Sequence, residues 1–162
     1  MLIILDDVFP PDTVKVIADY YIIDKAPCNA IWSDTTYSSI SKTTSPAATL
    51  LNIAAKNFDL TNMVGFEYWA HYNSGVDWHF DKDELEVKKS GKLVFPACSI
   101  VYYPLIENLE GGCFITKHDS IKPKTNRAII FSSDIEHKVD SFTGTRLSVS
   151  VNPWNTKPRA YL

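Results

Sequence analysis

Apolar and polar positions along the chain follow two regimes that meet near residue 65. Behind Pro10-Pro11-Asp12, the residues Val14, Ile17, Ala18 and Tyr21 stand at i, i+3, i+4 and i+7. That spacing predicts an amphipathic helix of about three turns. Ser45-Pro46 then offers an N-cap and a pre-set first helical position, with Ala47, Leu50, Leu51, Ala54 and Phe58 as the apolar stripe of a second helix. Between them, Ser33-Asp34-Thr35-Thr36-Tyr37-Ser38-Ser39 reads as an exposed polar loop. From Gly65 the period falls to two: Phe66, Tyr68, Ala70 and Tyr72 alternate with Glu67, Trp69 and His71. Further strands are predicted at Phe95 to Tyr103, Cys113 to Thr116, Ala128 to Phe131 and Arg146 to Asn152. Turn residues such as Gly111-Gly112, Lys122-Pro123-Lys124 and Thr143-Gly144 separate them. Short successive strands of this kind predict a mainly β sandwich or barrel with two N-terminal helices packed outside. The charged stretch Asp81 to Lys92 reads as a solvated loop, with a functional lid as the second reading.

A chain of 162 residues suits one domain: helical support over about 10–60 and a β core over about 65–154. Its 45% apolar and 22% charged residues exclude a disordered tail, a fibre and a disulfide-stapled miniprotein. No apolar run approaches the roughly 20 residues of a membrane helix. The stretch Met1 to Asp7 lacks a basic region and soon meets acid, so it is not expected to be a signal peptide. A net charge of −3 gives no electrostatic footprint for nucleic acid. Cys28, Cys98 and Cys113 form no C-x-x-C pair, and the last two are expected to be buried thiols. No N-x-[ST] acceptor occurs, so a reducing, cytoplasmic setting is the expectation.

The chemistry centres on Val76-Asp77-Trp78-His79-Phe80-Asp81. Residues i and i+2 of a strand share a face, so His79 and Asp81 present an imidazole and a carboxylate side by side. They supply two of the three groups of the 2-His-1-carboxylate triad of non-haem Fe(II) oxygenases. Alone, such a pair is equally a surface ion pair. His137, after the apolar run Ala128 to Phe131, places a second imidazole at a strand end. Downstream, Arg146, Ser148, Ser150 and Asn152 share one face of a strand, and Leu147, Val149 and Val151 the other. On an edge strand the polar face looks into solvent. In a closed barrel it lines a cavity, where an unpaired guanidinium needs an anion.

The ordered set Tyr72-x-x-Gly75, His79-x-Asp81, Val101-Tyr102-Tyr103, Glu110-Gly111-Gly112, His137 and Arg146-x-Ser148 resembles the Fe(II)/2-oxoglutarate-dependent dioxygenases, most of all the prolyl 4-hydroxylase group. The likeness spans about residues 66 to 154. It implies a double-stranded β-helix, or jelly-roll, core, with His79, Asp81 and His137 as iron ligands. It further implies that Arg146 pairs with the distal carboxylate of 2-oxoglutarate, that Tyr103 hydrogen-bonds the same carboxylate, with Ser148 beside it, and that Tyr72 is a pocket tyrosine near the metal. The implied cofactors are Fe(II), 2-oxoglutarate and O2, with ascorbate as an accessory. The implied reaction hydroxylates a C–H bond with release of succinate and CO2, and its implied substrate is a prolyl residue of a peptide or protein.

Two departures bear on the substrate: Gly75 to His79 is shorter than in typical prolyl hydroxylases, and Arg146 stands where many collagen-type members have Lys. The competing readings are the same chemistry on a free amino acid, another small molecule or an alkylated nucleobase, and a non-enzymatic or zinc-binding jelly-roll. His71 reads as an ordinary strand histidine and His118 as a turn residue. Trp78 and Trp154 fit either substrate stacking or core packing, and Lys88, Lys89 and Lys92 a solvated loop.

Overall fold

The computed structural model describes residues 1–23 and 29–162; Cys28 lies outside them. Strand β1 (Leu2–Leu5) precedes helix α1 (Pro11–Ile23), which buries Val14, Ile17 and Ala18 with Tyr21 packed beside them. Strand β2 (Ile31–Asp34) and the single turn α2 (Tyr37–Ile40) then lead to α3 (Pro46–Ala54). Ser45 caps α3, its hydroxyl accepting from the Ala48 N–H at 3.2 Å, and Pro46 occupies the first turn, where a missing N–H costs nothing.

The polar loop expected at Ser33 to Ser39 is therefore largely structured. Ile31–Asp34 pairs as an edge strand with residues 65–68, while Tyr37 and Ile40 pack onto the core and Tyr37 donates to Asn52 Oδ1 at 3.0 Å. Apolar residues spaced among the serines and threonines anchor it.

The remaining strands are β3 (Gly65–Tyr72), β4 (Ser99–Gly111), β5 (Phe114–Thr116), β6 (Ser120–Ile121), β7 (Arg127–Phe131), β8 (His137–Val139) and β9 (Phe142–Trp154). Among the described residues they form two antiparallel sheets, ordered β1-β7-β4-β9-β3-β2 and β6-β5-β8. This is the jelly-roll arrangement, mainly β, with α1 and α3 packed on one side. Period-two alternation divides the larger sheet between two cores. Tyr102 of β4, Ala128 and Ile130 of β7, and Leu147, Val149 and Val151 of β9 pack against α1 and α3. Tyr103, Ile129 and Phe131 turn inward to meet Phe114 and Ile121 of the smaller sheet.

Strand β4 starts at Ser99, later than expected, and runs on to Gly111 through two register shifts against β9. The charged stretch contains helix α4 (Glu84–Ser90), which corrects the solvated-loop reading. Asp83 caps it by accepting from the Glu86 N–H at 2.9 Å. Glu84 and Glu86 open the helix, Lys88 and Lys89 close it, and Gly91 ends it in the left-handed region at φ 73°. Asp83 Oδ2 and Glu86 Oε2 accept from the N–H and Nε–H of Arg159, each at 2.7 Å, which ties α4 to the C-terminal segment.

Candidate active site

Strand β9 lies between β4 and β3, so both its faces are covered. Arg146, Ser148, Ser150 and Asn152 are all buried, which overturns the solvent-facing alternative. Their face and that of Glu67, Trp69 and His71 on β3 look across to Phe114, His137 and Val139 of the smaller sheet. A cavity of about 320 Å³ lies between, bordered by His79 and Asp81, with Lys82 and Glu84 at the α4 side.

His79, Asp81 and His137 each direct one ligand atom to a common point, the three atoms lying within 4.8 Å of one another. His79 and His137 form an isolated antiparallel bridge, each N–H donating to the other's carbonyl at 3.0 Å. The backbone thereby brings the two rings to a centroid distance of 4.2 Å. His79 Nδ1–H donates to the Asp77 carbonyl at 2.7 Å and His137 Nδ1–H to the Ile135 carbonyl at 3.0 Å. Both imidazoles are thus fixed with Nε2 bare, the arrangement metal-binding histidines use. His79 Nε2 stands 3.7 Å from Asp81 Oδ1. Burial holds the His137 pKa below its ordinary value, favouring the neutral ring a metal requires, while Asp81 pulls the other way. Phe114 stacks on that ring at 5.0 Å and Phe131 meets it edge-on at 4.8 Å, fixing its plane. Two imidazole nitrogens and one carboxylate on one side, with open cavity on the other, fit a six-coordinate Fe(II) that keeps exchangeable positions.

Deeper along β9, Arg146 is 2% exposed. Its Nε–H donates to the Gly112 carbonyl (3.2 Å), one terminal nitrogen to Ser148 Oγ (3.0 Å) and the other weakly to the Tyr103 hydroxyl (3.5 Å). The guanidinium lies 5.1 Å from the Tyr103 ring. Every partner is neutral, and no carboxylate pairs with it among the described residues. A full charge in that setting lacks an anion. Burial raises the Tyr103 pKa, so its phenol stays protonated and able to donate.

Tyr72 is not brought to this cavity. It shares the parity of Phe66, Tyr68 and Ala70, pairs across with Leu147 and is 40% exposed. The residue next to it, His71, lines the cavity instead. Trp69 Nε1–H donates to His71 Nε2 at 3.1 Å and His71 Nδ1 meets Ser74 Oγ at 3.2 Å, so neither ring nitrogen is free for a metal. His118 is exposed in the Thr116–Asp119 turn. Trp78 is exposed with the Lys138 ammonium 5.1 Å from its ring, whereas Trp154 is buried against the cavity. Cys98 is fully buried, its thiol pushed up to about 12, and Cys113 is half-buried. Two further cavity residues, Glu67 and Asn152, carried no sequence signal beyond the parity of their strands.

Gly112 couples backbone to this pocket. Its φ is 70°, and a Cβ there would stand 3.2 Å from Arg146 Cδ and 3.3 Å from Phe142 Cβ. Gly112→Ala is expected to cost about 1–3 kcal/mol of stability through backbone strain and to displace the guanidinium. Thermal unfolding and ligand-affinity measurements check the two effects separately.

A jelly-roll with two imidazoles and a carboxylate at the cavity and a buried arginine behind them has the layout of a mononuclear non-haem iron oxygenase. Residues 66–154, more than half of the chain, match the 2OG-Fe(II) oxygenase superfamily, and the chain belongs to it. The family uses Fe(II), 2-oxoglutarate and O2. No curated protein matches the chain in sequence. Among solved structures, the fold is similar to a prolyl-4-hydroxylase from Pseudomonas putida, with TM-score 0.66, 16% identity, and coverage of 96% of this chain and 88% of that one. A viral collagen prolyl hydroxylase from Paramecium bursaria Chlorella virus-1, in complex with 2OG, gives 0.59 at 14% identity, covering 94% of each chain. A 2OG-Fe(II) oxygenase family oxidoreductase from Burkholderia pseudomallei gives 0.62 at 13% identity, covering 97% and 85%. At such identities the likeness is one of fold. Among the described residues, no helix is long and apolar enough to cross a membrane.

Proposed function

We propose that this dioxygenase hydroxylates a prolyl residue within a peptide or protein, with His79, Asp81 and His137 holding Fe(II) and Arg146 holding 2-oxoglutarate. The observation that carries the assignment of roles is the buried Arg146, ringed by neutral groups in the cavity that the three ligand atoms border. The distal carboxylate of 2-oxoglutarate supplies the missing anion. Ser148 holds one arm of the guanidinium, and the Tyr103 phenol is placed to donate to the same carboxylate. When bound, the iron supplies oxygen activation coupled to decarboxylation of 2-oxoglutarate, giving succinate, CO2 and a hydroxylated C–H position. The chain's own residues orient and exclude. Asp77 and Ile135 carbonyls aim the two imidazoles, Phe114 and Phe131 keep water from His137, and Arg146 fixes the cosubstrate's far end.

The prolyl substrate rests on the similarity to structures described as prolyl hydroxylases and on the open cavity mouth beside α4. An extended peptide presents backbone groups that find partners along such a mouth, and a proline brings little ordering entropy. The test is mass spectrometry of proline-containing peptides and of free L-proline with Fe(II), 2-oxoglutarate and O2. Oxygen-dependent addition of one oxygen atom to peptides, with stoichiometric succinate, is expected. Efficient conversion of free proline or another metabolite, with every peptide untouched, would overturn the peptide substrate.

A further inference from the structure

Besides Arg146 and the metal-site carboxylate of Asp81, one more charge without an opposite partner among the described residues faces the cavity. Glu67 on β3 stands directly across from Asn152 on β9, and both line the cavity. Trp154 Nε1–H donates to Glu67 Oε2 at 2.8 Å, and the Tyr161 hydroxyl is its other favourable neighbour. Both are neutral, and no lysine or arginine pairs with Glu67 among the described residues. The nearby cation at the rim, Lys82, is committed to Glu84 at 2.8 Å. Burial raises the Glu67 pKa, and the charges of Asp81 and Asp83 push the same way, so the carboxylate gains from any cation that reaches it.

Asn152 is 2% exposed, and its Oδ1 has no hydrogen-bond partner among the described residues. A buried acceptor left without a donor is uncommon in a folded protein and marks a place where a donor is expected. Asn152 lies six positions beyond Arg146 on the same face of its strand, about 20 Å away at ~3.3 Å per residue. A five-carbon diacid held by Arg146 does not span that distance. The acceptors at Glu67 and Asn152 are therefore left for the other molecule that shares the cavity. As cross-strand neighbours they set a carboxylate beside a residue whose amide oxygen lacks a donor, complementary to a group rich in N–H donors.

We propose that Glu67 and Asn152 form a specificity subsite for a basic side chain of the substrate, an arginyl residue flanking the hydroxylated proline. A guanidinium has donors enough to meet a carboxylate and an amide oxygen together. This rests on the peptide-substrate reading above. The rival explanation, that Glu67 serves only to fasten Trp154, is separated from it by Glu67→Gln, which keeps an acceptor for the indole and removes the charge.

The experiment uses the iron- and 2-oxoglutarate-loaded enzyme with proline peptides differing at one of the two positions on either side of the proline. Each position carries arginine, citrulline or glutamate, citrulline being close to arginine in shape but uncharged. The arginine peptide is expected to exceed its citrulline twin about tenfold in kcat/KM, mostly through KM, at one position. In Glu67→Gln that preference should collapse to about twofold or less. Equal turnover of arginine and citrulline peptides by the wild type overturns the subsite and leaves prolyl hydroxylation standing. Glu67-dependent turnover of free arginine, with no peptide hydroxylated, keeps the cation subsite and overturns the peptide reading. Calorimetric titration with arginine amide reads the subsite without turnover. Binding that Glu67→Gln abolishes supports it, and no binding to the wild type overturns it.

Discussion

Arg146→Ala is expected to raise the KM for 2-oxoglutarate by roughly two to three orders of magnitude. The range follows from the ~2–5 kcal/mol that truncating one member of a buried, hydrogen-bonded charge pair costs. The magnitude is large because the replacement cannot be made good locally. Arg146 is 2% exposed, so water does not refill its place as it would at the surface. Ser148 and Tyr103 remain, but they are neutral, and the Tyr103 hydroxyl is already at 3.5 Å. Arg146→Lys should recover part of the loss: a single ammonium restores the charge, but not the fork that meets Gly112, Ser148 and Tyr103 at once. Tyr103→Phe should raise KM less, by roughly ten- to a hundredfold, since one hydrogen bond to a charged group is worth ~1.5–3 kcal/mol. Steady-state succinate formation against 2-oxoglutarate concentration checks all three. An unchanged KM in Arg146→Ala would remove Arg146 from cosubstrate binding.

The alternation in β9 was the most legible feature of the chain, because a central strand with one polar face must point that face at something enclosed. Arg146, Ser148, Ser150 and Asn152 carry that signal, and their burial matches it. His79 and Asp81 were paired on an assumed strand parity, and His137 joined them as a ligand through the family resemblance. The segment holding His79 and Asp81 makes only an isolated bridge, and the pairing of His79 with His137 joins residues 58 positions apart. Tyr72 was assigned to the pocket by the family resemblance, and alternation could not test that, because it gives two faces without saying which is inside. Pairing with β9 settles that, putting Tyr72 opposite Leu147 and His71 opposite Ser148. Helix α4 hid behind its charges. Its cap at Asp83, its dipole-matched ends and Gly91 are all present in sequence, yet the tie from Arg159 to Asp83 and Glu86 spans more than 70 residues and cannot be read locally. The subsite at Glu67 and Asn152 was invisible for the same reason, since a cross-strand pair exists only once the register does.

Loss of the metal is the sharpest expectation. His137→Ala and Asp81→Ala should each reduce 2-oxoglutarate turnover by about a thousandfold or more, because losing a group that merely hydrogen-bonds a metal ligand already costs some 10–100-fold in metal affinity or activity. The fold should survive both. The bridge between residues 79 and 137 is made by backbone N–H and carbonyl groups, so it does not depend on either imidazole. Removing the His137 ring, held between Phe114 and Phe131, leaves a small cavity whose cost is that of an ordinary core truncation, ~2–5 kcal/mol at most. Metal-linked stability separates the site from the fold. A metal that binds only the folded state at a hundred times its Kd adds ~2.7 kcal/mol, so anaerobic Fe(II) or Mn(II) should raise the wild-type Tm by several degrees. That rise should vanish in His79→Ala, Asp81→Ala and His137→Ala. It should persist in His71→Ala, whose ring also lines the cavity but spends both nitrogens on Trp69 and Ser74. A metal-induced Tm rise retained in Asp81→Ala and lost in His71→Ala would place the ion elsewhere in the cavity and undo the three-residue assignment.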